Sequence, residues 1–202
     1  MLDELERRGS GTDKDDTWDA QAWIGRDLAK LWIKSKGARG SGRTEHGELQ
    51  LLYSRAVATY WDLQLGVRHD FEPSPSRTWV AVGLEGLAPY FFEIDAAFFI
   101  SDSGQTALRF EAEYNLLLTQ RLVLAPEIEA NLYGKDDPAA GRGSGLSEIE
   151  AGLRLRYEFR REFAPYLGVT WFREFGETAD MSSGAGRRSS DTQFTIGLRA
   201  WF

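Results

Sequence analysis

The chain has 202 residues, no cysteine, 26 aromatic residues and a formal net charge of -7. That length suits one domain or one barrel, and the negative charge gives no reason to expect nucleic acid as a partner. Without cysteine there are no disulfides or thiolate metal sites. The longest stretch free of Asp, Glu, Lys and Arg is 163–172, far short of the roughly 18 apolar residues of a membrane helix. A membrane strand needs only about 9–11 residues, half of them polar where they face a lumen. Met1-Leu2-Asp3-Glu4 lacks the basic and apolar regions of a signal peptide, so the chain reads as a mature or trimmed form.

In chain order, 1–8 reads as a weak first strand and 9–17, rich in Gly, Asp, Ser and Lys, as a loop. Strands are predicted at 18–25, 28–36 and 43–55, with a glycine-rich loop at 37–42 and a turn at 56–59. The segment 60–71 alternates strictly: Trp61, Leu63, Leu65 and Val67 against Asp62, Gln64, Gly66, Arg68 and Asp70. Period two of this kind marks a strand with one apolar and one polar face. Further strands follow at 77–87, 90–101, 106–118, 122–133, 146–159 and 163–175. Pro126 sits inside one of them, where a central strand tolerates proline poorly. The last strand, 193–202, alternates down to a terminal Phe202.

Twelve strands result, and their connections alternate. The odd connections, 9–17, 37–42, 72–76, 102–104, 135–145 and 176–190, read as the longer set, and the even ones as turns. An even strand number with long connections at one end predicts an all-β, antiparallel transmembrane β-barrel with short periplasmic turns and longer extracellular loops, in one domain over 1–202. The apolar faces meet lipid, with Trp18, Tyr53, Trp61, Phe110, Tyr157, Trp171 and Phe202 as interfacial aromatics. The other faces line the interior.

Eight carboxylates on four consecutive strands are predicted to line that lumen: Glu93, Asp95, Glu111, Glu113, Glu127, Glu129, Glu148 and Glu150. Lys30, Lys34, Lys36, Arg68, Arg109, Arg154, Arg156 and Arg199 share the interior. Two readings follow. One is a salt-bridged filling that ties the walls together. The other is a cation pathway past carboxylates. The only histidines, His46 and His69, fall on adjacent strands near the outer end. Parity turns His46 inward and His69 outward, and a rim bulge would turn His69 inward as well. His46, Glu48, Asp70 and His69 would then form an N/O set suited to a divalent transition metal. The alternative is two rim histidines bonded to water or neighbours.

Several runs carry a resemblance. W-D-A-Q-A-W-I-G from Trp18, E-H-G-E-L-Q-L-L-Y-S-R from Glu45, Y-W-D-L-Q-L-G-V-R-H-D-F from Tyr60, L-Y-G-K-D-D-P from Leu132, E-A-G-L-R-L-R-Y-E-F-R-R-E-F-A-P-Y from Glu150 and the ending G-L-R-A-W-F are similar to the copper resistance protein B family. The resemblance implies an outer-membrane barrel of Gram-negative bacteria in contact with lipid. It also implies copper as the ion bound or passed, a periplasmic copper protein as partner, and no enzymatic activity. Family members commonly carry a Met- and His-rich segment ahead of the barrel; this chain has only Met1 and Met181 and no such segment. Copper(I) favours thioethers, so the barrel by itself should hold copper weakly. Two other functions compete with copper handling: a structural or anchoring barrel without transport, and an outer-membrane lipid hydrolase built on an outward His69. The hydrolase lacks a serine motif near His69.

Overall fold

The computed structural model describes residues 1–10, 13–40, 43–160 and 162–201. The strands are β1 (Leu2–Ser10), β2 (Asp13–Arg26), β3 (Ala29–Gly40), β4 (Arg43–Ala58), β5 (Trp61–Glu72), β6 (Arg77–Ala88), β7 (Phe92–Ser101), β8 (Thr106–Glu113), β9 (Leu116–Leu117), β10 (Leu122–Tyr133), β11 (Gly145–Tyr157), β12 (Phe163–Glu174) and β13 (Ser190–Ala200). The pieces β8 and β9 pair with the same neighbour, β10, and form one wall strand. Each wall strand pairs antiparallel with the next, and β1 closes the ring by pairing with both β2 and β13. The result is a closed twelve-stranded antiparallel barrel, in which every edge is used.

The weak first strand of the sequence reading is thus the closing strand. Its outward Leu5 and Arg7 do not look alike, but its backbone is satisfied on both sides. The break between β8 and β9 explains the misfit at Pro126. Tyr114 N–H donates to the Pro126 carbonyl at 3.0 Å. In an antiparallel pair the same two residues would exchange a second bond, and proline has no N–H to make it. The wall strand breaks opposite that missing donor.

Two predicted loops are mostly strand. β1 and β2 run on to Ser10 and Asp13, and β3 and β4 to Gly40 and Arg43. Their polar residues pair across the strands, as Arg7 does with Asp16 at 2.7 Å, so polarity there does not signal a loop. The long outer connections are 134–144 and 175–189, the second containing helix α1 (Gly176–Gly184). No helix among the described residues is long and apolar enough to cross a membrane.

Outward apolar side chains stay exposed, Ile24 at 74% and Phe194 at 75%. Burial against lipid, rather than against protein, is the solution for a face of this kind. Tyr53, Phe110, Tyr157 and Trp171 are exposed on that face as expected; Phe202 lies outside the described residues. Trp18 lies flat over Gly37 on the neighbouring strand. A Cβ there would meet its ring at 2.3 Å and the His46 carbonyl at 2.7 Å. The protein-packed core is inside the barrel: Leu52, Trp79, Ala81, Phe99 and Ala107 on the inward faces of β4 and β6–β8, with Trp32, Ala97 and Tyr133 against them.

Candidate functional site

The inward carboxylates form two cross-strand rows. Glu93 pairs with Glu113 and Glu113 with Glu127. Asp95 pairs with Glu111, Glu111 with Glu129, and Glu129 with Glu150. Like charges directly opposite destabilise a sheet unless cations intervene. Three cations reach across the lumen from β1 and β3. Lys34 Nζ lies 2.9 Å from both Glu85 and Asp95. Lys36 contacts Glu111 at 3.2 Å and also pairs with Glu129. Arg8 reaches Glu150 at 2.8 Å. The salt-bridged filling is therefore present.

These bridges line a cavity of about 460 Å³. It runs from Met1, Leu87 and Glu93, at the end of the barrel that carries the chain termini, to Glu48 and Arg109. Twelve carboxylates and five Lys or Arg side chains line it. Seven of the eight predicted lumen carboxylates are among the twelve; Glu148 points inward beyond its lining. Glu93 accepts a hydrogen bond from Asn115 at 3.1 Å. Glu113 comes no closer to a cation than 3.8 Å, at Arg199. These two are the loosely held carboxylates at the mouth.

The outer half of the barrel is filled differently. Glu48 is completely buried. Arg109 donates to both of its oxygens at 2.7 and 2.8 Å, Arg68 at 2.8 Å and Gln50 at 2.7 Å. His46 Nε2 stands 3.3 Å from it. Arg68 also holds Asp70 at 2.6 Å, and Trp79 Nε1 donates to Asp70 at 3.1 Å. Both guanidiniums stack on Phe99, at 4.9 and 5.8 Å. From outside, Arg142 of the 134–144 connection reaches Asp70 at 3.4 Å, and Arg77 pairs with Asp137. Helix α1 fastens that connection: Thr178 Oγ1 accepts from Gly143 N–H at 2.8 Å and lies 2.7 Å from Ser147 Oγ. Apolar, aromatic and paired charged groups together plug the outer mouth.

The four residues of the expected metal set are only partly assembled. His46 and Glu48 are in contact, and Asp70 joins them through Arg68. His69 faces outward opposite Leu49, its Nδ1 3.0 Å from Thr78 Oγ1. Of the two irregularities in this hairpin, one falls between Gly47 and Glu48, past His69, and the other between Ala56 and Ala58 at the turn; neither turns it. Among the described residues, no group of three or more His, Asp or Glu side chains is arranged to hold a metal ion.

Sequence reasoning missed a second interior cluster. Glu6 of β1 is buried between Arg154 and Arg8, and accepts from Tyr166 Oη at 3.0 Å. Arg154 also pairs with Glu4 at 2.9 Å and with Glu127. The signal was there, since Glu4, Glu6 and Arg8 alternate on one parity. The outward Arg7 obscured it.

The profile described as "Copper resistance protein B precursor (CopB)" matches residues 1–202. The chain belongs to the copper resistance protein B family. Copper resistance protein B of Escherichia coli is 48% identical over 202 residues, covering all of this chain and 68% of that protein. The copper resistance protein B homolog of Pseudomonas syringae pv. tomato (strain ATCC BAA-871 / DC3000) is 46% identical, covering all of this chain and 69% of that one. Among solved structures, the NanC porin superposes over the full length of both chains with a TM-score of 0.67 at 13% identity. The KdgM porin follows with 0.58 at 11% identity, over 100% of this chain and 99% of its own. These likenesses show the fold, an outer-membrane barrel, and this copper resistance barrel resides in the bacterial outer membrane.

Proposed function

We propose that the barrel takes up copper ions from the periplasmic side into its carboxylate-lined vestibule, and binds or passes them at the outer membrane. The observation that carries this reading is the cavity's twelve carboxylates against five cations, placed at the end of the barrel that bears the chain termini. An excess of one sign between low-dielectric walls concentrates counter-ions. Glu93 and Glu113 line the cavity with few partners of their own, so they are the groups on which an entering ion first binds. Oxygen ligands suit copper(II) and bind it weakly enough to release it. Met1 is the one thioether in the described lining, so copper(I) finds little there. A periplasmic copper protein is the supplier that fits an anionic mouth on that side. His46, Glu48 and Asp70 are the exit step, reached when Arg68 and Arg109 move aside. The chemistry asked of the barrel is electrostatic binding, with no bond made or broken.

The plug favours a second reading, an anchoring barrel that holds copper at the membrane without conducting it. One experiment separates the two. Copper(II) binding to the purified barrel is measured by calorimetry, and copper entry is followed in liposomes carrying it. A Glu93→Gln/Glu113→Gln variant is expected to bind copper(II) about tenfold more weakly, the loss of two charge-assisted contacts. Unchanged binding sinks the vestibule. Binding without entry above empty liposomes, in the wild type and in a His46→Ala/Glu48→Ala/Asp70→Ala variant alike, leaves the anchoring reading.

A further inference from the structure

The outward face changes character toward the outer end of the barrel, and differently on different strands. On β7 and β8 the outward positions stay apolar to Ile100 and Leu108, one and two residues from the strand ends. On β1 and β2 the last apolar outward residues are Leu5 and Trp18. Beyond them the outward face is polar for the rest of both strands. Arg7 pairs with Asp16 across β1–β2, and Asp16 with Arg39 across β2–β3. Lys14 follows two residues on, on the same face as Asp16. All four side chains are exposed, Arg7 at 63% and Asp16 at 52%. Arg7 binds Asp16 through two nitrogens, at 2.7 and 3.1 Å. Three cations and one carboxylate therefore share one exposed notch on the outward face, just beyond the apolar belt of β1–β3.

Directly below the notch are Trp18, lying over Gly37, and the exposed apolar side chains Leu31, Ile33, Leu49 and Leu51. An aromatic plate with aliphatic grooves beneath and guanidiniums above matches a lipid read from headgroup to tail. The notch lies at the outer-loop end of the barrel, on the outside of the wall, where the apolar belt gives way to the headgroup region. A second copy fits poorly, because a two-fold contact would set the three cations against themselves.

We propose that Arg7, Lys14 and Arg39 bind the phosphate groups of a phosphorylated glycolipid of the outer leaflet, with its acyl chains lying against Leu31, Ile33, Leu49 and Leu51. Arginine forks suit phosphate oxygens, and Lys14 adds a point charge. Asp16 holds Arg7 in place, faces Arg39 across β2–β3, and competes with the phosphate for both. This site is on the outside of the wall, so it stands whether or not copper enters the vestibule.

The test uses the full chain in a zwitterionic detergent. Native mass spectrometry compares bisphosphorylated lipid A, phosphatidylglycerol and inorganic phosphate as ligands. The wild type is expected to retain lipid A preferentially. An Arg7→Ser/Lys14→Ser/Arg39→Ser variant should lose at least tenfold in lipid A affinity, since each cation near an anionic headgroup contributes on the order of 1 kcal/mol. Asp16→Asn should bind lipid A about threefold more tightly; a merely structural Arg7–Asp16 pair would give no gain. If the triple variant fails to fold, Lys14→Ser and Asp16→Asn supply the same two signs. Equal binding by wild type and variants overturns the proposal. Phosphatidylglycerol bound as tightly as lipid A, or displacement by low-millimolar inorganic phosphate, overturns the glycolipid source. A wild-type dimer that the triple variant turns monomeric identifies the notch as an interface between copies instead.

Discussion

The two halves of the lumen are built from the same strands, the same parity and the same residue types, yet they hold their charges in opposite ways. In the outer half, Glu48 has two arginines, a glutamine and a histidine around it, and the arginines lie on Phe99. In the vestibule, Glu93 has a single amide partner and Glu113 a cation at 3.8 Å. A fully paired, desolvated carboxylate has no lone pair left for an arriving ion. A loosely paired one beside a cavity does. Charge alone therefore does not mark a binding site; the number of partners already in place does.

The largest effect should come from breaking the plug at its centre. Glu48→Ala strands two buried guanidiniums, and the loss of one partner from a buried pair costs about 3–5 kcal/mol. The barrel should unfold at a clearly lower temperature, read by heat-modified mobility on a gel. Glu48→Gln, which keeps one acceptor, should lose less. Phe99→Ala comes next, at about 3–4 kcal/mol for an emptied aromatic position. It also removes the platform under both arginines, so single-channel conductance in planar bilayers should rise. A Phe99→Ala barrel as closed as the wild type would show that the ion pairs alone make the seal.

On the vestibule side the effect on stability should be small and the effect on binding large. Glu93→Gln/Glu113→Gln should leave stability within about 0.5 kcal/mol, as for substitutions at sites without specific partners, while lowering copper(II) binding. A large loss of stability there would erase the distinction between the two halves.

The smallest effect concerns Asp136, in the outer connection. Its side chain accepts the Ser144 N–H at 2.6 Å, and that bond holds its pKa below the ordinary aspartate value. A lowered pKa stabilises the turn at all pH above the ordinary aspartate range, and the contribution fades as the pH falls through that range and below it. Hydrogen exchange at Ser144 N–H should therefore quicken only in acid, and Asp136→Asn should remove that pH dependence. Because Asp136 is fully exposed, global unfolding should not register the change.

Much of this was legible from residue order. Alternation in segments such as 60–71 and 106–113 told which side chains face lipid and which face the lumen, because strand geometry leaves only two directions. It placed seven of the vestibule carboxylates, and it set His46 inward and His69 outward. It failed where a strand lacks an apolar face, as in β1, and where polar residues continue a ladder, as in 9–17 and 37–42. Polarity there reports a wall standing outside the hydrocarbon, rather than a loop.

What residue order could not show is distance across the lumen. Lys36 and Glu129 are 93 positions apart, Arg109 and Glu48 61, and Arg154 and Glu6 148. Parity says that all of them point inward; only closure of the ring, with the register of every hairpin accumulated around it, decides which of them meet. That is why the faces of this barrel were set by the sequence alone, while the division of its interior into a sealed outer half and an open anionic vestibule was decided by the tertiary structure. Direction is a property of one strand, and contact across a barrel is a property of all twelve.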